Sequence, residues 1–373
     1  MVTALFIILA FVAFSVFFLR GENLRYLDTP LPPPDAAPPS DAHREVVRAM
    51  DELTENIGRY SGRERLAAIR RMMDELGGSK AVTSRIEPVQ TDAIRGEWVL
   101  APGADSRRRV LYLHGGAWFA GSPTSHRPIT DRLSRLLGAA VFAVDYRLCP
   151  EYRRIDGIND CRDALRWILH NGPEDMEPPD FLLVAGDSAG GSLTLEVIAW
   201  ARDAGLRLPD AAIALSPSTD VTMTSPSLRL NAPTDPMLGP AFGKLLKVPT
   251  ILLWWFYWFS WRIPPKDPRV SPLRGSLRGL PPVLIQASRA EMLLDDARRY
   301  AAKAQASGSP VTLQTWPHMV HVWQLFTPEL PEAEEAYAAM ADFVASVERG
   351  QGSESGAVTE TGAAGAGAGA TPA

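Results

Sequence analysis

A serine held between small residues, Gly186-Asp187-Ser188-Ala189-Gly190, is the feature of this sequence that points most directly to chemistry. An apolar run at 181–185 comes directly before it, and a helical pattern at 192–204 follows. A strand that turns sharply into a helix holds a nucleophile clear of the backbone, and flanking glycines let neighbouring chain approach closely. The helix N-terminus beneath the serine favours negative charge as it develops. Ser188 is therefore the candidate nucleophile, and an acyl carbon is its candidate target.

Attack on a carbonyl leaves charge on its oxygen, and that charge needs donors. His114-Gly115-Gly116-Ala117-Trp118 follows an apolar run ending at Leu113. Successive glycines free backbone N–H groups to turn into a site. The candidate oxyanion donors are the amides of Gly115, Gly116 and Ala117, with that of Ala189 next to the nucleophile.

A serine also needs a base. Of the six histidines, His43 lies in an N-terminal helical region, His114 in the glycine turn, His126 in the loop after it and His170 at a helix end. His318 and His321 remain, both just past the last apolar run, where the order serine, acid, histidine puts the base. His321 is preferred to His318, which reads as a loop residue near the mouth of the site. The acid that orients the imidazole should follow the run at 282–287. Glu291 sits in that loop. Asp295 and Asp296 fall in the first turns of the next helical pattern, where carboxylates are favoured by the helix dipole alone. Glu291 is preferred to Asp295.

The elements that must position these groups are legible as alternating patterns. Short apolar runs at 109–113, 140–144, 181–185, 211–215, 282–287 and 311–316 read as strands. Helical spacing at 128–137, 158–170, 192–204 and 333–347 lies between and after them. Such alternation implies a mostly parallel sheet covered on both faces. Two helical stretches within 41–76 precede the sheet, and a long Pro-rich insertion, 216–280, interrupts it. Both are expected to build a cap. The insertion contains an aromatic run, 251–261, too short to span a bilayer. It reads either as a buried helix of the cap or as an interfacial or acyl-binding surface.

Outside this region, residues 1–20 are almost entirely apolar and, as a helix at ~1.5 Å per residue, approach the ~30 Å of a bilayer core. The expectation is an uncleaved single-pass anchor, with Arg20 and Arg25 placing the catalytic domain on the cytoplasmic side. Residues 21–40 read as a Pro-rich linker, 41–349 as the catalytic domain and 350–373 as a disordered tail rich in Gly, Ala, Ser and Thr. The net charge of -5 and the lack of a basic run argue against nucleic acid as a partner. The two cysteines, Cys149 and Cys161, carry no metal-ligand spacing and read as small hydrophobes.

Taken together, His114-Gly115-Gly116-Ala117-Trp118, Asp145-Tyr146-Arg147-Leu148-Cys149-Pro150-Glu151, Gly186-Asp187-Ser188-Ala189-Gly190-Gly191, Asp267-Pro268-Arg269-Val270-Ser271-Pro272-Leu273, Glu291-Met292-Leu293-Leu294-Asp295-Asp296 and Met319-Val320-His321 resemble the hormone-sensitive-lipase-like branch of the α/β-hydrolases, the bacterial family IV esterases. The resemblance covers about residues 109–347. It implies an α/β-hydrolase fold with a helical cap, and cofactor-free, metal-free cleavage of short-to-medium acyl esters or neutral lipids through an acyl-enzyme. It also implies Glu291 as the acid, where aspartate is the commoner residue. The chain departs from the family pattern at Ala117, where glycine is usual, at Ala287-Ser288-Arg289-Ala290 and at His318. An N-acyl amide deacetylase would use the same triad. A non-catalytic ligand receptor on this fold typically lacks the histidine, and His321 is present.

Overall fold

Along residues 109–113 successive side chains must point to opposite faces of a strand, and both faces are buried. Val110 and Tyr112 join one apolar cluster, Leu111 and Leu113 another. The split recurs at 182–185, where Leu182 and Val184 face one way and Leu183 and Ala185 the other. A strand buried on both sides reads as a continuous apolar run, which is why these segments show no polar alternation.

The computed structural model describes residues 2–30, 32, 38–174, 176–350 and 358–360. In chain order its helices and strands are α1 (Val2–Phe14), α2 (Asp41–Gly58), α3 (Gly62–Gly78), β1 (Arg85–Gln90), β2 (Arg95–Leu100), β3 (Asp105–Leu113), α4 (Arg127–Leu137), β4 (Ala139–Val144), α5 (Arg154–Ile168), β5 (Phe181–Asp187), α6 (Ala189–Asp203), β6 (Ala211–Leu215), α7 (Ser227–Leu230), α8 (Leu238–Phe242), α9 (Thr250–Trp261), β7 (Val283–Ser288), α10 (Leu294–Ala306), β8 (Val311–Trp316), α11 (Pro331–Glu348) and β9 (Val358–Glu360). Among the described residues they form one sheet in the order β1-β2-β4-β3-β5-β6-β7-β8-β9. The pairs β1–β2 and β2–β4 are antiparallel, and every later pair is parallel. Helices α5, α6 and α10 cover one face, and α4 and α11 the other.

Parallel strands bring the loops at their C-terminal ends together along one edge. Here β3, β5, β7 and β8 deliver the glycine turn, Ser188, Glu291 and His321 to that edge. Helix α2 packs against the histidine-bearing loop: Met50 lies in one buried cluster with Met319, Val320 and Trp323. The insertion at 216–280 folds into α7, α8 and α9 with short 3-10 turns.

The single-pass anchor and the cytoplasmic placement that rested on it are not supported. Among the described residues no helix is long and apolar enough to cross a membrane. Helix α1 has 13 residues, a length of about 20 Å against a hydrocarbon core of ~30 Å. The apolar run then continues as a π-helical segment, Ser15–Arg20, in which Ser15 and Leu19 are buried. That segment is docked on α9 and the chain after it. Trp255 Nε1 donates to Ser15 Oγ at 2.9 Å, Lys266 N donates to Leu19 O at 3.0 Å, and Phe11 stacks on Trp255. Phe11, Phe14, Ser15, Phe18 and Leu19 thus have partners within the chain, while Leu5 to Leu9 are exposed. The aromatic run of α9 shares its side chains between two environments, with Leu253, Trp254 and Trp261 buried and Leu252, Phe256 and Phe259 exposed.

Two further differences concern the sheet margins. Strands β1 and β2 carry charges within short segments, so their antiparallel pairing on the sheet edge leaves no apolar run to read. At the other edge, Val358–Glu360 pairs with β8 as β9, within a tail expected to be disordered. An edge strand offers unpaired N–H and C=O groups that a β-branched segment can use. The rest of that tail, 351–357 and 361–373, and the linker positions 31 and 33–37 lie outside the described residues. Cys149 and Cys161 are buried and free.

Candidate active site

The nucleophile turn is strained where strand meets helix. Ser188 has φ 52° and ψ -116°, a region that costs a residue with a side chain on the order of 1–3 kcal/mol. Its N–H is tied to Leu215 O at 2.7 Å, and α6 begins at the next residue. Close packing under the turn explains its glycine: a Cβ on Gly190 would stand 1.9 Å from Leu113 O.

Around Ser188 the structure gathers two side chains from later in the sequence. His321 Nε2 is 2.9 Å from Ser188 Oγ, and His321 Nδ1 is 2.6 Å from Glu291 Oε2. Glu291 is fully buried, and its second oxygen accepts from Ser288 N at 2.8 Å. Burial opposes charge on His321, but the hydrogen-bonded Glu291 carboxylate outweighs it, with Asp235 and Asp187 adding, so the imidazole pKa is raised. The other carboxylates weighed for this position are engaged elsewhere. Asp295 accepts from Ser227 N at 2.8 Å and pairs with Arg298. Asp296 accepts from Thr219 N, Asp220 N and Ser225 Oγ, and burial next to Asp220 pushes its pKa up to about 7.

The glycine turn bends in the left-handed region at three successive residues, Gly116 (φ 112°), Ala117 (φ 54°) and Trp118 (φ 65°). Among the described residues, the N–H groups of Gly116 and Ala117 have no hydrogen-bond acceptor. The N–H of Ala189 opens α6 and has no acceptor within its own helix. Gly115 is a correction. Its N–H donates to Asp187 Oδ1 at 3.0 Å and also lies 3.3 Å from His126 Nε2, so it is turned inward and cannot serve an oxyanion.

Three residues that the sequence reading passed over hold this turn. Asp187 and His126 lie beneath it, 2% and 1% exposed. Their spacing carries no signal; only the fold makes them neighbours. Arg70 of α3 holds the turn from above, donating to Phe119 O at 2.7 Å and Cys149 O at 3.0 Å while pairing with both oxygens of Glu151. These groups are partly solvated, so Arg70→Ala should cost only about 1 kcal/mol of stability. Turnover of an ester should fall by roughly tenfold, since a 1 Å displacement at a distance can cost more than that. Thermal melts and steady-state kinetics check the two effects separately.

No cluster of His, Cys, Asp and Glu able to hold a metal ion occurs among the described residues. A serine, an imidazole and a carboxylate in one hydrogen-bonded row, beside free backbone donors, are the arrangement that serine hydrolases use, here at the edge of a mostly parallel α/β sheet.

Comparison with known proteins agrees. A family model described as the alpha/beta hydrolase fold matches residues 110–325. The chain is 34% identical to an acetyl-hydrolase of Streptomyces hygroscopicus, over 80% of this chain and 95% of that one. Among solved structures, an esterase from the bacterial hormone-sensitive lipase family superposes with a TM-score of 0.71 at 32% identity, covering 83% of this chain and 98% of the other. EstE5, in a crystal soaked with p-nitrophenyl butyrate, gives a TM-score of 0.68 at 33% identity over 83% of this chain and 99% of its own. The chain belongs to the hormone-sensitive-lipase-like family of α/β-hydrolases.

Proposed function

We propose that this protein is a carboxylic ester hydrolase that works through an acyl-enzyme on Ser188, acting on short-to-medium acyl esters or neutral lipids. The row from Glu291 through His321 to Ser188, at 2.6 and 2.9 Å, is the observation that carries the reading. His321 Nε2 takes the Ser188 proton as Oγ bonds to the ester carbonyl carbon. Glu291 holds Nδ1–H and offsets the imidazolium charge. The carbonyl oxygen becomes anionic and meets the amides of Gly116, Ala117 and Ala189. His321 returns the proton to the departing alcohol as the C–O bond breaks. Water, deprotonated by the same imidazole, then releases the acid and restores Ser188.

The names of the relatives, acetyl-hydrolase and esterase, support ester cleavage with small acyl groups. The test is a series of p-nitrophenyl esters of increasing acyl length, run beside labelling by a fluorophosphonate. We expect turnover of acetyl to butyrate esters, falling at longer chains, and one label, on Ser188. A folded protein that takes no label and cleaves no ester is a binding protein, and the proposal fails.

A further inference from the structure

We infer that Asp187, with His126 as its buried counter-charge, is a positioning residue that aims the oxyanion donors. The inference rests on the serine-hydrolase reading of Ser188.

Asp187 directly precedes the nucleophile, but its side chain turns into the protein. There its Oδ1 accepts from Tyr112 Oη at 2.6 Å and Gly115 N at 3.0 Å, and its Oδ2 lies 3.3 Å from His126 Nε2. The approach is so close that a Cβ on Gly115 would meet Oδ2 at 2.1 Å. A carboxylate buried this completely must be paired. The partner is legible from its own contacts. His126 Nδ1 lies 2.8 Å from Ser125 Oγ and 3.3 Å from Ser122 O. The Ser125 hydroxyl donates its one proton to Ser122 O at 2.9 Å and so accepts toward the ring, while Nε2 faces the carboxylate. With the Ser125 proton on Ser122 O, each ring nitrogen faces an acceptor, and these contacts favour the doubly protonated imidazolium. Burial opposes this charge and Asp187 favours it, and the His126 pKa is raised on balance while that of Asp187 is lowered.

The pair fixes the direction of peptide planes. In the His114–Gly115 peptide, the carbonyl accepts from Tyr146 Oη at 2.7 Å and the N–H is held by Asp187. In the Gly115–Gly116 peptide, the carbonyl oxygen lies 2.8 Å from His114 Nδ1. His114 is neutral, its pKa lowered to about 3 by burial and by His126, so Nδ1 is the donor in this contact. A trans peptide points its N–H opposite to its C=O. With the Gly115 carbonyl fixed toward the His114 ring, the Gly116 N–H is turned the other way, with no acceptor among the described residues. Asp187 therefore joins the backbone that bears the nucleophile to the backbone that bears the oxyanion donor.

Removing an oxyanion donor outright costs about 10²–10³ in kcat; misaiming one should cost less. Asp187→Asn keeps the size and an acceptor oxygen but removes the charge that holds His126 protonated. We expect kcat for p-nitrophenyl butyrate to fall roughly 10- to 100-fold with KM within about twofold. Affinity for a boronic acid that mimics the tetrahedral intermediate should fall in step with kcat. His126→Gln, which keeps a donor toward Asp187 without the charge, should show the same pattern more weakly. If Asp187→Asn does not fold, His126→Gln and Tyr112→Phe are read against the same two outcomes. Unchanged kcat and boronate affinity overturn the inference, and so does a rise in KM at constant kcat. Fluorophosphonate labelling of Ser188 in the unaltered protein is recorded alongside. Its absence counts against the serine-hydrolase reading, whereas labelling with unaffected variants counts against Asp187 alone.

Discussion

Ser188→Ala should lower kcat toward an activated acyl ester by about 10⁶-fold and leave the fold intact. The hydroxyl is the bond-forming atom, and no other hydroxyl stands within reach of His321 Nε2 among the described contacts. Its loss removes both the covalent step and the proton transfer that drives it. Background hydrolysis from the remaining donors sets the floor. Stability carries separate information, because the residue at 188 holds φ 52° and ψ -116° whatever its side chain. Ser188→Ala keeps that strain, while Ser188→Gly relieves it, at a cost in unfolded-chain entropy of roughly 0.5–1 kcal/mol. With strain of about 1–3 kcal/mol the glycine variant should melt at or above the alanine variant. Steady-state rates and thermal melts of the two proteins decide both points. An alanine variant within tenfold of full activity would remove Ser188 from the mechanism.

Glu291→Gln should lower kcat by about 10³–10⁴-fold and move the acid limb of the pH profile downward. A glutamine oxygen can still accept from Ser288 N, but its amide places a donor against His321 Nδ1 and favours the wrong tautomer. The pH effect has a definite sign. His321 acts as base only when neutral, and Glu291 raises its pKa above the ordinary 6.5, so the acid limb of kcat/KM should lie above that value in the unaltered protein. Without the carboxylate, burial dominates and favours the neutral ring, so the limb should shift to lower pH. Asp295 cannot take over, being held by Ser227 N and Arg298. Profiles of kcat/KM from pH 5 to 9 test this, and an unmoved limb in the variant would exclude Glu291 as the group that sets the imidazole.

Why some of this was legible in the sequence and some was not follows from the range of the interactions. Strands such as β5 and β6 are buried on both faces and announce themselves as apolar runs, and Gly190 follows from backbone crowding at a single turn. Order along the chain sufficed to nominate His321 and Glu291, because parallel strands place successive loops at one edge. The direction of the Gly115 amide could not be read this way. It depends on Asp187, 72 residues later in the chain, and on His126. His126 looked like an ordinary loop histidine because its role comes from burial against a carboxylate on another strand. The apolar run at 1–20 misled for a related reason. Hydropathy counts how many side chains avoid water, and is blind to whether Trp255 or lipid receives them.

That docking changes what a shortened gene would produce. A chain starting at residue 21 loses Ser15 from the surface of α9, Leu19 from Lys266, and the rings of Phe11, Phe14 and Phe18 from Trp255 and Trp258. Uncovered indoles beside Phe256 and Phe259 make a contiguous sticky face. The yield of dispersed protein in such a preparation therefore reports how well the leading segment shields its own neighbour, and a detergent that restores it is standing in for the missing residues.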